Sequence, residues 1–350
     1  MIDDNSQDKC RNERPFFEPC ELPPQLQALR EEVRSFLEGF SSQWSSAQRA
    51  RSWDGYDPAF SRALGARGWI GMTWPKHYGG GERTALERYA VIEELLFAGA
   101  PVAAHRIADR QSGPLLLRFG AEQHRREILP RIARGELCFC IGLSEPDAGS
   151  DVASIRSRAR EVDGGWLLSG TKLWTTSGHH ADYMIGLFRT RGSASDRHHG
   201  LSQFLVDLRR PNIKVRPVPD LTGREHFNEI TFDDVLLTRD DLIGVENEGW
   251  AQAMTELALE RSGPKRFLSS VQALVHLNRA VSAEPSEESC VIVGRLVAQL
   301  VTLRKMSLSI AGMLQAGRDP TLEASIVKDR RHAKLSGISA ERRRRGHHDE

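Results

Sequence analysis

The apolar residues of this chain change their period twice, and that double change constrains the fold more than any other feature. From about Pro23 to Glu136 they recur at helical spacing. Leu26, Leu29, Val33, Phe36 and Leu37 mark one face of a first helix, and Ser61 to Gly68 and Leu86 to Ala98 follow the same rule. Between them, Gly71-Met72-Thr73-Trp74-Pro75-Lys76-His77-Tyr78-Gly79-Gly80-Gly81 reads as a loop by its proline and glycines. From about Leu137 to Gly244 the apolar runs become short: Trp166 to Gly170, Tyr183 to Phe188, Leu201 to Val206 and Glu229 to Phe232. Turn residues such as Asp163-Gly164-Gly165 and Arg210-Pro211-Asn212 separate them, which predicts an antiparallel β domain. The helical period then returns in Trp250 to Arg279 and Val291 to Gly317. The expectation is an α+β chain: an N-terminal α-helical domain over 1–136, a middle antiparallel, β-barrel-like domain over 137–245, a C-terminal helical domain over 246–329, and a divergent basic tail over 330–350. Roughly the first 20 residues are expected to be disordered.

A chain of 350 residues is long enough for such an arrangement, and its 48 basic against 47 acidic residues leave a net charge of +1. That balance offers no global attraction to nucleic acid or to an acidic membrane surface. The basic run Arg342 to Arg345, before His347 and His348, reads as a solvated tail. Of the five cysteines, only Cys138 and Cys140 stand close, and C-x-C is not the spacing of redox or zinc motifs. They read as two buried thiols on one strand face, and no metal site is expected. Met1 to Asn12 lacks the apolar core of a signal peptide, and no stretch approaches the ~18 apolar residues of a membrane span. A reducing cytoplasm is the expected location.

Two segments concentrate chemistry. In Leu143-Ser144-Glu145-Pro146-Asp147-Ala148-Gly149-Ser150-Asp151, Gly149 lets a ligand approach the backbone, and hydroxyls and N–H groups can bond phosphate or a flavin edge. A plain surface turn would look much the same. The second is Gly170-Thr171-Lys172-Leu173-Trp174-Thr175-Thr176-Ser177. In order and spacing the pair resembles the signature of the acyl-CoA dehydrogenase family. The likeness extends through Trp74 to Gly80, Glu93-Glu94, Ala181-Asp182, Phe232 to Val235, Leu242 to Gly244 and Asn247 to Trp250, covering residues 25 to 329. Phe227-Asn228-Glu229 and the region of Gly200 to Ser202 look most like branches acting on bulky acyl-CoA thioesters, including steroid side chains.

The resemblance implies FAD as cofactor and assigns roles to matching positions. Ser144, where a threonine is usual, would hydrogen-bond the pyrimidine edge of the flavin, with Leu143 beside it. Trp174 would lie against the isoalloxazine, although a core tryptophan is the alternative. Thr176 would bond near flavin N5, and Gly149 and Ser150 would line the pyrophosphate and CoA side, Ser150 touching substrate as well.

The reaction so implied needs a carboxylate to take the α-proton of the thioester while hydride leaves Cβ for N5. A minority branch of the family carries this base just before an arginine on the first helix of the last domain. Leu257-Ala258-Leu259-Glu260-Arg261-Ser262-Gly263-Pro264 matches that place, so Glu260 is the implied base and Arg261 the implied substrate-holding neighbour. Pro264 cannot donate to the carbonyl of Glu260, so the helix should loosen or kink there, and Ala253 and Leu257 bring apolar surface to its edge. A solvated Glu260-Arg261 pair is the alternative, and Glu256 is a rival base.

From about Arg330 the likeness stops, whereas family members continue through helices that close the bundle. Those helices hold a glycine-rich FAD contact and the backbone N–H that polarises the thioester carbonyl. A lost donor of that kind costs about 2.7–4 kcal/mol of transition-state stabilisation. The family's Arg-x-x-Phe-Gly segment also has no clear match around Arg279. Three readings follow: an acyl-CoA dehydrogenase using Glu260, a non-catalytic subunit of a mixed oligomer, or a flavin monooxygenase on the same fold. The implied partners are an acyl-CoA, electron-transfer flavoprotein or a similar acceptor, and further subunits in a homo- or hetero-oligomer.

Overall fold

The computed structural model describes residues 17–327 except 262 and 269, with the side chains of 258–261, 265 and 266 also left undescribed. The expected disorder at the chain start, for residues 1–16, and the basic tail over 330–350 lie outside the described residues. Seven helices come first: α1 (Leu26–Ser41), α2 (Ser46–Ala50), α3 (Pro58–Ala66), α4 (Ala85–Ala98), α5 (Ala103–Ile107), α6 (Gly113–Phe119) and α7 (Glu122–Ala133). Their ends are written in local chemistry. Asp57 caps α3 ahead of Pro58, Thr84 and Glu87 form a capping box at the start of α4, and Gly99 ends α4 at φ +77°. The loop read at Gly71 to Gly81 holds only a single 3₁₀ turn, Lys76–Tyr78.

Glu93 and Glu94 of α4 are both buried, and each is held by arginine. Arg304 grips Glu93 with two hydrogen bonds of 2.7 and 2.9 Å, while Arg30 and Arg34 of α1 bond Glu94. This acidic pair therefore stitches the first helix and the last long one to α4. Burying a carboxylate is tolerable only with such partners.

The middle region is one eight-stranded sheet: β1 (Phe139–Gly142), β2 (Arg158–Val162), β3 (Gly165–Thr176), β4 (Tyr183–Arg189), β5 (Leu201–Asp207), β6 (Ile213–Val218), β7 (Phe227–Thr238) and β8 (Leu242–Ile243). The order is β6-β7-β3-β2-β4-β5-β8, with β1 added beside β4. Most pairs are antiparallel, as expected, but β1 runs parallel to β4, and β2 meets β4 in a single parallel pair, Arg158 with Arg189. Parallel pairing needs a long crossover, and the β2–β3 hairpin lies between β1 and β4 in sequence.

The unbroken apolar run of β4 has a physical reason. Ile185 packs with the helical core, Met184 and Phe188 with the interior of the sheet, and Leu187 with a third cluster under α8, so both faces are buried. Cys140 lies in the sheet interior and Cys138, just ahead of β1, is also buried; burial pushes the Cys138 thiol up to about 12.

The helices that follow include α8 (Gly249–Arg261), α9 (Lys265–Leu268), α10 (Val271–Ala283) and α11 (Glu287–Gln315). The single amphipathic stretch read from Trp250 to Arg279 is thus three helices. Gly263 at φ +96° precedes Pro264, and α9 restarts after it. α8 packs on β5 and on the segment between α5 and α6, which places its end beside the N-terminal domain.

Candidate functional site

The two motif segments meet where the chain leaves β1. The Leu173 N–H donates to the Ser144 carbonyl at 2.9 Å. Lys172 Nζ donates to Glu145 Oε1 at 2.8 Å and to the Leu143 carbonyl at 3.4 Å. Lys172 is wholly buried, with its ammonium 4.9 Å from the centroid of the Phe188 ring. Burial pushes this ammonium down to about 8 against the pull of Glu145. Burial alone would raise the Glu145 carboxyl, yet Lys172 and the Arg156 N–H hold it below its ordinary value.

Glu145 also accepts the N–H groups of Arg156 and Ser157, at 2.7 and 3.0 Å. One buried carboxylate so fixes both ends of the turn that carries Gly149 and Ser150. Those two residues are exposed, and a side-chain carbon on Gly149 would meet nothing within 4 Å. Internal packing does not require a glycine there.

β3 is irregular between Lys172 and Thr175, and Trp174 takes φ +59°. A tryptophan in the left-handed region is unusual and costs about 1–2 kcal/mol. The kink turns its side chain outward, so 53 % of Trp174 is exposed while Lys172 and Thr175 on either side are buried. Phe227 supports it edge-on, with ring centroids 5.8 Å apart at 90°. The alternative of a core tryptophan is therefore wrong: strand kinking, which composition does not reveal, presents the indole to the surface. Thr176 is half-buried and pairs with Phe227 of β7. A flat exposed indole, hydroxyl residues at Ser144 and Thr176, and an open small-residue turn fit a planar ring carrying a phosphate-bearing tail.

Of the two acids on α8, Glu256 is 1 % exposed and accepts a hydrogen bond from Gln203 Nε2 at 3.1 Å. It is engaged with β5. Glu260 stands one turn further along the helix, and Arg261 is its last residue. Their side chains lie outside the described residues. Ala253 is buried and Leu257 half-buried, as the apolar edge of this helix requires. Gly263 and Pro264, just past the helix, line a cavity of about 450 Å³ bounded by α4, α6 and α11.

That cavity touches a polar cluster the sequence reading missed. Between α5 and α6 the chain makes a π-helical turn, Ala108–Ser112, a rare geometry frequent at functional sites. Asp109 there is buried and accepts the Gly71 N–H at 2.8 Å and Arg88 Nη2 at 2.5 Å. Burial alone would raise its carboxyl, and Arg88 and the Gly71 N–H hold it low. His105 shares a 2.8 Å hydrogen bond with Ser61 Oγ, and burial pushes its imidazole down to about 4. Arg106 and Arg110 both lie over the Trp53 ring, at 4.6 and 5.0 Å. The only signal was five polar residues among His105 to Gln111, dense for a stretch between apolar helices. Among the described residues, no group of three His, Cys, Asp or Glu could hold a metal ion. None of their helices is long and apolar enough to cross a membrane.

The architecture is helices, a sheet with an outward tryptophan, and helices again. Residues 23–136 match the family model "Acyl-CoA dehydrogenase, N-terminal domain" and residues 140–235 match "Acyl-CoA dehydrogenase, middle domain". The chain belongs to the acyl-CoA dehydrogenase family. Acyl-CoA dehydrogenase IpdE1 of Mycobacterium tuberculosis is 39% identical over 204 residues, which are 58% of this chain and 52% of that protein. The protein of the same description from Mycolicibacterium smegmatis is 30% identical over 320 residues, 84% of this chain and 81% of that one. The ChsE4-ChsE5 complex of Mycobacterium tuberculosis superposes with a TM-score of 0.74 at 28% identity, over 88% of this chain and 80% of that one. The chain spans about half the length, or less, of the first curated relatives it matches.

Proposed function

We propose that this chain performs the FAD-dependent α,β-dehydrogenation of an acyl-CoA thioester. The observation that carries the reading is Trp174, held outward on a kinked strand beside Ser144. Bound FAD supplies the hydride acceptor of the reaction. Trp174 covers one face of that ring and keeps water from it, and the Ser144 and Thr176 hydroxyls bond its edge, with Leu143 alongside. Gly149 and Ser150 let the pyrophosphate and CoA pass close to the backbone. Glu260 takes the α-proton, and Arg261 holds the substrate beside it. The position of α8 supports these two roles, since its end abuts a cavity sized for an acyl group.

The cavity volume also suits a bulky acyl group. The free thiols of Cys20, Cys138, Cys140 and Cys290 support a reducing location, the cytoplasm. Val297 and Val301, one turn apart on α11, are 43 % and 51 % exposed, which supports burial against another subunit in a homo- or hetero-oligomer. The same observation favours a second reading, in which the chain serves chiefly as a structural subunit of a mixed assembly. Electron-transfer flavoprotein or a similar protein would accept the electrons.

Reconstitution with FAD, followed by anaerobic addition of acyl-CoA, separates these readings. A yellow protein that bleaches with acyl-CoA supports the dehydrogenase. A yellow protein that consumes oxygen with a reductase and does not bleach with acyl-CoA points to a monooxygenase. A colourless protein sinks both flavoenzyme readings for this chain.

A further inference from the structure

β7 carries one residue that its place in the sheet does not call for. Asn228, Ile230 and Phe232 alternate onto one face of β7, and Ile230 and Phe232 fill the interior of the sheet. Asn228 is just as enclosed, with 0 % exposure, at a position where an apolar side chain would pack without any polar group to satisfy.

Its amide bonds the stretch of β3 that carries Trp174 and Thr176. Asn228 Nδ2 donates to the Thr175 carbonyl at 3.0 Å. A carbonyl only accepts, so the amide oxygen faces the other way. There Oδ1 accepts the His179 N–H at 3.2 Å and lies 2.8 Å from His179 Nδ1, which carries the ring proton. One end of this buried amide holds the strand and the other holds the turn that follows it.

The segment so held is the irregular part of β3. Thr175 and Thr176 stand between two left-handed residues, Trp174 at φ +59° and Ser177 at φ +55°. Residues with a side chain keep such angles only where their surroundings fix them. The register slips between Lys172 and Thr175, and pairing resumes at Thr175 with Asn228. The Ser177 N–H donates to the His226 carbonyl at 2.9 Å. A side-chain carbon on Gly178 would come 3.2 Å from Asn228 Cβ, so the turn is folded directly onto Asn228. Phe227, beside it in sequence, braces the Trp174 ring edge-on.

We infer that Asn228 is a positioning residue for the flavin: through the Thr175 carbonyl it fixes β3 so that Trp174 and Thr176 meet the ring. The inference rests on the flavoenzyme reading of this wall. Wholly enclosed, Asn228 acts only through the neighbours it bonds.

FAD affinity, the visible band of the bound flavin and anaerobic bleaching by butyryl-, octanoyl- and palmitoyl-CoA are measured for the native protein, Asn228→Leu, Asn228→Asp and His179→Leu, with folding followed in urea. Both Asn228 variants lose the bond to Thr175, which should weaken FAD binding about tenfold and displace the flavin band. Bleaching at saturating acyl-CoA should slow by a similar factor, while the acyl-CoA concentration for half-saturation stays within about threefold of native. In a Trp174→Ala background, Asn228→Leu should cost little further FAD affinity, because Trp174 is one of the residues it places; a residue serving only the fold would add its full loss. Unchanged FAD affinity and flavin band in the folded Asn228 variants, or additive losses with Trp174→Ala, would overturn the inference. If neither Asn228 variant folds, His179→Leu decides: releasing the amide oxygen from the ring should weaken FAD binding about threefold, and no change would overturn the inference. Native protein that binds FAD but never bleaches, with weaker FAD binding in the variants, would leave the inference standing and sink the dehydrogenase reading. Native protein that takes up no FAD would sink both.

Discussion

The Lys172 ammonium and the Glu145 carboxylate lie 2.8 Å apart with both side chains shielded from water, at the junction of the two segments that frame the site. Neither charge can be removed alone without stranding the other. Lys172→Met and Glu145→Gln should each cost about 3–5 kcal/mol in urea denaturation. The double variant should cost clearly less than the sum of the two. Single losses below about 1 kcal/mol would show that the pair does not hold this junction.

Acid should weaken the fold from about pH 6.5 downward. Burial pushes His105 from its ordinary 6.5 to about 4, so between those values the unfolded chain binds a proton that the native state refuses. Stability is then full above pH 6.5 and falls as pH drops towards 4, by about 3 kcal/mol for this one group. Asp109 and Glu145 are held low, so their contribution is lost further down, as pH falls below the ordinary carboxyl range. Denaturation midpoints measured from pH 7 to 4 should fall steadily, and His105→Gln should flatten the upper part of that slope. A native profile already flat between pH 6.5 and 5 would contradict the burial of a neutral imidazole.

Trp174 is exposed at the expense of its own backbone. Trp174→Ala should therefore leave stability within about 1 kcal/mol of native, since the indole is largely exposed. FAD affinity, followed by the quenching of flavin fluorescence, should fall at least tenfold. Trp174→Gly should be slightly more stable than Trp174→Ala, because φ +59° suits glycine. Unchanged FAD affinity in both variants would remove Trp174 from the site.

How much of this was legible depended on how local the cause was. The period of α1 and α4 and the apolar run of β4 are set by neighbours in sequence, and they read correctly. β3 and β7 each run 12 residues, well past the runs read at Trp166 and Glu229, because pairing across the sheet carries polar residues along. β6 was missed, since Lys214, Arg216 and Pro217 mask its alternation. In the site, the small-residue turn and Trp174 stood out as a resemblance. The buried cluster did not, because its partners, Ser61 for His105, Gly71 and Arg88 for Asp109, are 21 to 44 residues away in sequence. Buried charge is recognisable only once its distant counter-charge is in place.

The most direct test is anaerobic titration of FAD-loaded native protein and Glu260→Gln with an acyl-CoA panel, followed by flavin absorbance. The native flavin should bleach with at least one acyl-CoA, whereas Glu260→Gln should keep its FAD and stay yellow. Bleaching of Glu260→Gln at the native rate would show that the α-proton goes elsewhere.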